Sequence, residues 1–504
     1  MRSLVMIATL VRFLLLLWCL LVSATASAQA PQLVQVGDWH VYGADYDYDR
    51  EPLVAGGAAI RVAPRAAPGE PWSSAATVAI PAAIKSGMRV TGYVWARSAQ
   101  PAHIAVTIQG GGPRYDAVAT ATLSLVSEWK LYAISGIASA DLPAESQSLT
   151  VQLGATSTIV SVGPAALQLG ERDDPAVRRA FAGFRPSQIA QDVRFASDPG
   201  VVLAGVLRLP NRASAARSPV VVLLGGGGPA RRGIYPLLEK RLLADGIATL
   251  SYDKRGIGRS TGSFVDTLEL MEKDAIAAVA FLRAQPGVDG SRIALLGLSQ
   301  GGVVGPAVAA GDPAIAAVVL LAAPVGEKHA PFLDGMRTRL GEMNLSNDSI
   351  ATILPAAGRF MEAQRPGTAP ATLAAARQSL IEAFTAAGIP PASASGFADF
   401  LKHPVLASMY QAAPGNVLPR VRAPVLALYG RADTVVPSTG NLDQARIALR
   451  ANPDATVIEV PRMEHGFQSV ALDALGKPNH VGPPISDPGV LDLVARWLRE
   501  RLRP

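Results

Sequence analysis

From about Pro31 to Gly170, apolar and polar positions alternate in short runs separated by turn residues. Val90, Gly92, Val94 and Ala96 share one face of a run, Ile104, Val106 and Ile108 one face of the next, and Leu149, Val151 and Leu153 one face of a third. A period of two over strand-length runs, without helical spacing, predicts an all-β sandwich over residues 31–170. Charged, helix-compatible text over 171–191 reads as a linker. A different regime starts at Asp192. Val193-Arg194-Phe195 and Val201 to Leu209 flank the turn Ser197-Asp198-Pro199-Gly200. Continuous apolar runs then alternate with amphipathic segments: Val220 to Leu224, a helix near Tyr235 to Asp245, Ile247 to Tyr252, a helix from Thr267 to Arg283, Ile293 to Leu296, and Ala316 to Ala323. Such alternation predicts a mainly parallel sheet covered by helices on both faces, because only strands buried on both sides can be apolar throughout. Over about 327–415 the alternation stops in alanine-rich helical text, with Leu373, Leu380, Ile381 and Phe384 on one helical face. It resumes with Pro424 to Tyr429, Thr456 to Val460 and a last helix from Val490 to Leu502. An insertion at that place sits over the strand ends and reads as a cap.

The ends and the composition narrow the setting. Arg2 and Arg12, the apolar run Phe13 to Val22 and the small residues Ala26-Ser27-Ala28 have the layout of a secretory signal peptide over residues 1–28. The run is shorter than the ~20 residues that a bilayer core requires, so no stable transmembrane anchor is expected after cleavage. Cys19, the one cysteine, lies inside this leader and follows Trp18, which is not the small residue a lipoprotein site wants. An exported chain without further cysteine has no disulfide, thiolate metal site or thiol nucleophile. The 46 basic residues against 40 acidic ones, two of the basic ones in the leader, form no basic block, so nucleic acid is not an expected partner.

The candidate chemistry begins at Gly297-Leu298-Ser299-Gln300-Gly301, which follows the strand Ile293 to Leu296 and precedes the small residues Gly302 to Gly305. Strand, sharp turn and helix in that order expose a serine hydroxyl at a strand's carboxyl end. A second match, Gly258-Arg259-Ser260-Thr261-Gly262, is a control: it lies in a polar loop with no helical pattern until about Asp266. Ser299 therefore reads as a nucleophile and Ser260 as loop. A serine needs a base. Of six histidines, His40 and His103 belong to the β-domain, and His329 and His403 lie in or beside the cap. His465, in Met463-Glu464-His465-Gly466-Phe467, follows a strand's carboxyl end, and His480, in a proline-rich loop, is the reserve. Asp433, just after the strand Pro424 to Tyr429, is the carboxylate expected to orient the imidazole; Glu464, adjacent to it, reads as a solvated charge. For an oxyanion, one donor is the backbone N–H of Gln300 and the other comes from Gly225-Gly226-Gly227-Gly228-Pro229, with Gly227 chosen and Gly226 in reserve. No Walker lysine with its Ser/Thr follows that loop, so a phosphate-binding role has little support.

With these residues placed, the region from Asp192 to Arg503 resembles the α/β-hydrolase superfamily. The similarity is to a bacterial branch with a GSGP-type oxyanion turn, a YDKRGxGxS loop and a G-x-D-x-x-V-P acid loop, here Gly226 to Pro229, Tyr252 to Ser260 and Gly430 to Pro437. The resemblance implies an esterase, thioesterase, lipase-like enzyme or serine peptidase working through an acyl-enzyme, without cofactor or metal, on a small-molecule or lipid-like ester. Two departures stand out: Gly225 occupies the usual histidine position and Gly227 the serine position of the oxyanion turn. Asp253 and Arg255 read as a local ion pair shaping their loop. The β-domain is similar in pattern to jelly-roll modules of extracellular carbohydrate-active enzymes.

Two readings of that β-domain stay open. Trp39, Tyr42, Tyr46, Tyr48, Trp72 and Trp95 are either core or a stacking surface for glycan, and Asp45, Asp47 and Asp49 either a solvated acidic edge or a calcium site. The expectation is an exported, periplasmic or secreted serine hydrolase cleaving carboxylic esters; its rivals are a thioesterase or acyltransferase, a peptidase, and an envelope glycan-binding protein whose hydrolase domain is inert.

Overall fold

The structure is a computed structural model that describes residues 29–65, 67–111, 115–144, 147–211, 216–326, 329–365, 367–412, 414–472, 478–481 and 483–503. The expected signal peptide, Cys19 included, lies outside the described residues. The chain divides into two compact units, one ending at Pro186 and the other beginning at Ser187.

The first unit is a β-sandwich. One antiparallel sheet runs Ala44–Arg50, Ala58–Pro64, Val160–Leu169, Arg89–Ser98, Lys130–Ile137, with Gln32–Val34 also paired to Val160–Leu169; the other runs His40–Tyr42, Ala75–Ile80, Gln147–Gln152, Ala102–Gly110, Ala117–Leu125. Val90, Val94 and Ala96 meet Ile104, Val106, Ile108, Leu149, Val151 and Leu153 in one core, so the period-two faces are the faces that the two sheets bury between them. Trp39 belongs to this core, its indole N–H donating to the Gly163 carbonyl at 3.0 Å, whereas Trp72 is exposed. Asp45 pairs with Arg65 and Asp47 with Arg61. The stretch expected to be a linker is a folded part of this unit up to Pro186. Asp174–Ala182 is helical because Asp173 caps it and Val177 and Phe181, one turn apart, share a face that packs on Tyr93 and Ala166.

The second unit is built on an eight-stranded sheet. Its strands are β1 (Gln188–Ala196), β2 (Val202–Pro210), β3 (Ser218–Leu224), β4 (Ala248–Tyr252), β5 (Val288–Leu298), β6 (Ile315–Leu321), β7 (Val425–Gly430) and β8 (Ala455–Val460). Their spatial order is β1-β2-β4-β3-β5-β6-β7-β8, antiparallel over β1, β2 and β4 and parallel from β4 to β8. The unit begins at Ser187, ahead of Asp192, and residues 188–191 pair with 207–210 in the opening hairpin. Successive residues of β3 serve opposite cores: Val220, Val222 and Leu224 pack under the helices Leu268–Arg283 and Gln300–Gly311, and Val221 and Leu223 under Pro236–Ala244 and Pro488–Arg501. Burial on both faces is what the continuous apolar runs require.

The cap leaves the sheet after β6 and returns before β7. Its helices Ala330–Glu342, Asn347–Glu362, Pro370–Ala386, Pro391–Phe400 and Pro404–Gln411 enclose a core of their own around Phe360, Leu380 and Phe384. The chain's exit and re-entry points touch: the Gly415 N–H donates to the Gly326 carbonyl at 3.0 Å, so close that a Cβ on Gly415 would stand 2.7 Å from that oxygen. A second tie joins the Leu268 N–H to the Ser408 hydroxyl at 2.8 Å. Among the described residues no helix is long and apolar enough to cross a membrane.

Candidate active site

Strand β5 passes into the helix Gln300–Gly311 through Ser299 alone, whose φ of 56° and ψ of −118° are a strained conformation for a residue with a side chain. Two backbone bonds hold it there. The Ser299 N–H donates to Leu321 of β6 at 2.8 Å, and its carbonyl accepts from Gly302 at 2.9 Å. The neighbouring glycines are steric necessities: a Cβ on Gly297 would lie 2.1 Å from the Gly301 carbonyl carbon, and one on Gly301 would lie 2.5 Å from the Leu224 oxygen. Gln300 is the first residue of the helix, so its N–H has no intrahelical acceptor. Gly301→Ala should therefore force the helix off the end of β3 and lower stability by ~1–3 kcal/mol in urea unfolding. Gly311→Ala, with open space around it, should not.

Asp433 and His465 come from the loops after β7 and β8. The Ala432 N–H donates to the Met463 carbonyl at 2.9 Å and the Arg431 N–H to Val460 at 3.0 Å, which laces the two loops together. Asp433 is buried, and its carboxylate is fully engaged. Oδ1 accepts from the N–H groups of Val435 and Val436, each at 2.8 Å, and Oδ2 takes His465 Nδ1 at 2.8 Å. A carboxylate only accepts, so Nδ1 carries the proton in this contact and the lone pair of a neutral ring is left on Nε2. The carboxylate on His465 is Asp433; Glu464, its sequence neighbour, is half-buried in the same loop. His480 lies on a two-stranded sheet formed by Ser469–Leu472 and Pro478–Val481. Among the described residues no hydrogen bond joins the Ser299 hydroxyl to the imidazole. Ser299 lines a cavity together with Val435 and Val436, the residues whose N–H groups hold Asp433.

The glycine loop after β3 lies against the serine turn, a Cβ on Gly226 falling 3.7 Å from the Ser299 Cβ. Gly225 has no room for a side chain, since a Cβ there would stand 2.9 Å from that of Ala230. Side chains from neighbouring elements hold the loop at two points. The Tyr235 hydroxyl donates to the Leu224 carbonyl at 3.2 Å. The Gly226 carbonyl accepts from Lys254 Nζ, and the Gly228 N–H donates to Asp266 Oδ2 at 2.7 Å. The Gly227 N–H makes no hydrogen bond among the described residues. Lys254 and Asp266 form a buried pair at 3.2 Å, and Gln300 Nε2 donates to the Asp266 carbonyl. Burial lowers the Lys254 amine from its ordinary value, and Asp266 opposes that shift.

Asp253 and Arg255 are structural but not paired with each other. Asp253 accepts the N–H groups of Arg232 at 2.9 Å and Arg259 at 2.8 Å, folding its loop back on itself. Arg255 pairs with Asp274 at 2.7 Å and Asp198 at 3.0 Å. Ser260 is buried in the same loop, donating to the Asp253 carbonyl at 2.6 Å and accepting from the Ala204 N–H at 2.9 Å, so its hydroxyl is committed to the fold. Sequence reasoning missed Lys254, Asp266 and Tyr235. Lys254 stood within the quoted Tyr252 to Ser260 motif, but nothing local indicates which loop it grips.

A cavity of about 600 Å³ runs from Ser299 into the cap. Its walls are Phe332, Met336, Leu340, Phe384, Phe397, Leu401, Leu406 and Met409, and its charged side chains, Arg339 and Glu342, are both exposed. That size is typical of small-molecule sites, and the lining favours an apolar group extending from the serine. Among the described residues no cluster of three or more His, Cys, Asp or Glu side chains is placed to hold a metal ion.

A family model described as the alpha/beta hydrolase family matches residues 220–476, just over half of the chain. The chain is similar to the quorum-quenching protein AidA of Acinetobacter baumannii, 28% identical over 45% of this chain and 74% of that protein. It is also similar to the polyketide transferase grgF of a Penicillium species, 31% identical over 28% of this chain and half of that protein's length. Among solved structures, the Pyrococcus furiosus esterase Pf2001 aligns with 63% of this chain and 92% of its own, at 16% identity and a TM-score of 0.41.

Proposed function

The chain belongs to the alpha/beta hydrolase family, and from that premise we propose that it is an exported serine hydrolase that cleaves carboxylic esters of apolar acyl groups through an acyl-enzyme. The observation that carries this reading is the Asp433–His465 contact at 2.8 Å, taken together with a serine that is held in a strained turn and lines a cavity. In the proposed cycle, Nε2 of His465 takes the Ser299 proton as the hydroxyl oxygen attacks the ester carbonyl. The Gly227 and Gln300 N–H groups stabilise the oxyanion, each worth ~2.7–4 kcal/mol on removal. His465 then returns the proton to the leaving alcohol, and water, activated by the same nitrogen, releases the acid. Hydrogen bonds between such groups are often long or poorly aligned without substrate and tighten in the bound complex. Export rests on the leader sequence. The thiohydrolase apmlB of Arthrinium phaeospermum, 33% identical over 44% of that protein's length, favours thioesters as the second reading, since both bonds present the same carbonyl to the serine.

The test is made on the purified protein. A fluorophosphonate probe should label the native but not the unfolded chain, and p-nitrophenyl decanoate should be turned over with a higher kcat/KM than the acetate. No labelling would refute an activated serine; labelling with preference for acetate would refute the acyl role of the cavity.

A further inference from the structure

We infer that Lys254 is a positioning residue for catalysis: by gripping the Gly226 carbonyl from inside the fold, it orients the Gly227 N–H, which makes no hydrogen bond among the described residues, for the oxyanion. This rests on the proposed function and concerns the same site. Four consecutive glycines have little conformational preference of their own, so the loop needs external partners to hold a single geometry. The structure supplies them in a chain. Lys254 Nζ donates to the Gly226 carbonyl and sits 3.2 Å from Asp266 Oδ2, the same oxygen that accepts the Gly228 N–H at 2.7 Å. Gln300 Nε2 donates to the Asp266 carbonyl, tying the network to the residue that follows the serine.

The consequence follows from peptide geometry. In a trans peptide the carbonyl of one residue and the N–H of the next point in opposite directions. Turning the Gly226 carbonyl toward Lys254 therefore turns the Gly227 N–H away from it, and that N–H has no acceptor among the described residues. Lys254 and Asp266 are both almost fully buried, so the peptide is fixed before substrate arrives and need not reorient as charge develops. Without the ammonium, the Gly226–Gly227 peptide is free to rotate and the donor is lost for part of the time. Arg255 is the built-in comparison, because the adjacent residue is equally buried and pairs with Asp274 and Asp198 without touching the glycine loop.

The experiment compares Lys254→Met with Arg255→Met in ester hydrolysis, in inhibition by an alkyl boronic acid, whose tetrahedral adduct occupies the oxyanion site, and in inhibition by the product decanoate. Both variants leave buried carboxylates unpaired and should lose stability. Lys254→Met alone should lose about 10²–10³ in kcat, as for removal of one oxyanion donor, and a similar factor in boronate affinity, with KM and decanoate inhibition held. Should Lys254→Met not fold, Lys254→Met with Asp266→Asn removes both charges while the amide oxygen still accepts from Gly228, and the same losses are expected. Equal kcat in the lysine and arginine variants, or a loss expressed in KM, overturns the positioning role while leaving the hydrolase reading intact. An inactive wild-type protein refutes both.

Discussion

Ser299→Ala should lower kcat on an activated ester by roughly 10⁶, the loss found when a serine nucleophile is deleted from a working triad. The size follows from the lack of a substitute. Ser260, in the second Gly-x-Ser-x-Gly match, spends its hydroxyl on Asp253 and Ala204, and the sequence has no cysteine beyond Cys19. The alanine keeps the backbone bonds to Leu321 and Gly302, so thermal unfolding should be nearly unchanged and the loss readable as chemistry. Initial rates of p-nitrophenyl decanoate hydrolysis at matched folded concentration make the comparison. Retained turnover would remove Ser299 from the mechanism.

Asp433→Asn should cost about 10⁴ in kcat, with little change in fold. The reason lies in how the carboxylate is divided. Oδ1 already accepts two N–H groups, from Val435 and Val436, so an asparagine must put its amide oxygen there and its NH₂ against His465. A donor facing Nδ1 makes that nitrogen the acceptor and moves the ring proton to Nε2, where it blocks receipt of the serine proton. The ring stays in place in the wrong tautomer. Proton-coupled ¹⁵N spectra of the imidazole should show the switch directly, and an unchanged tautomer with unchanged rate would show that Asp433 does not orient the base.

The sheet and the sandwich were legible because burial writes itself into local period. Val220 to Leu224 can be apolar throughout only if covered twice, and Leu149, Val151 and Leu153 alternate with polar residues because one face of their strand packs in the apolar core. Ser299, Asp433 and His465 could be singled out because each follows the carboxyl end of a strand, a position that is local in sequence although the residues are far apart in the chain. The polar interior was not legible. Arg255 has its acidic neighbour Asp253 two residues away, yet it is Asp274 and Asp198 that the tertiary fold brings to it. Lys254 grips a peptide 28 positions earlier, and no periodicity encodes which carbonyl a buried amine will meet. The presumed linker hid its amphipathic turn, Val177 and Phe181, among charges that face outward.

The touching of Gly326 and Gly415 carries an evolutionary consequence. A polypeptide excursion that departs and rejoins at one spot can be lengthened, shortened or exchanged for another without disturbing the pairing of Ile315–Leu321 with Val425–Gly430. Recombination at that neck would hand the enzyme a new recognition chamber in one event, leaving the reactive residues below it where they were.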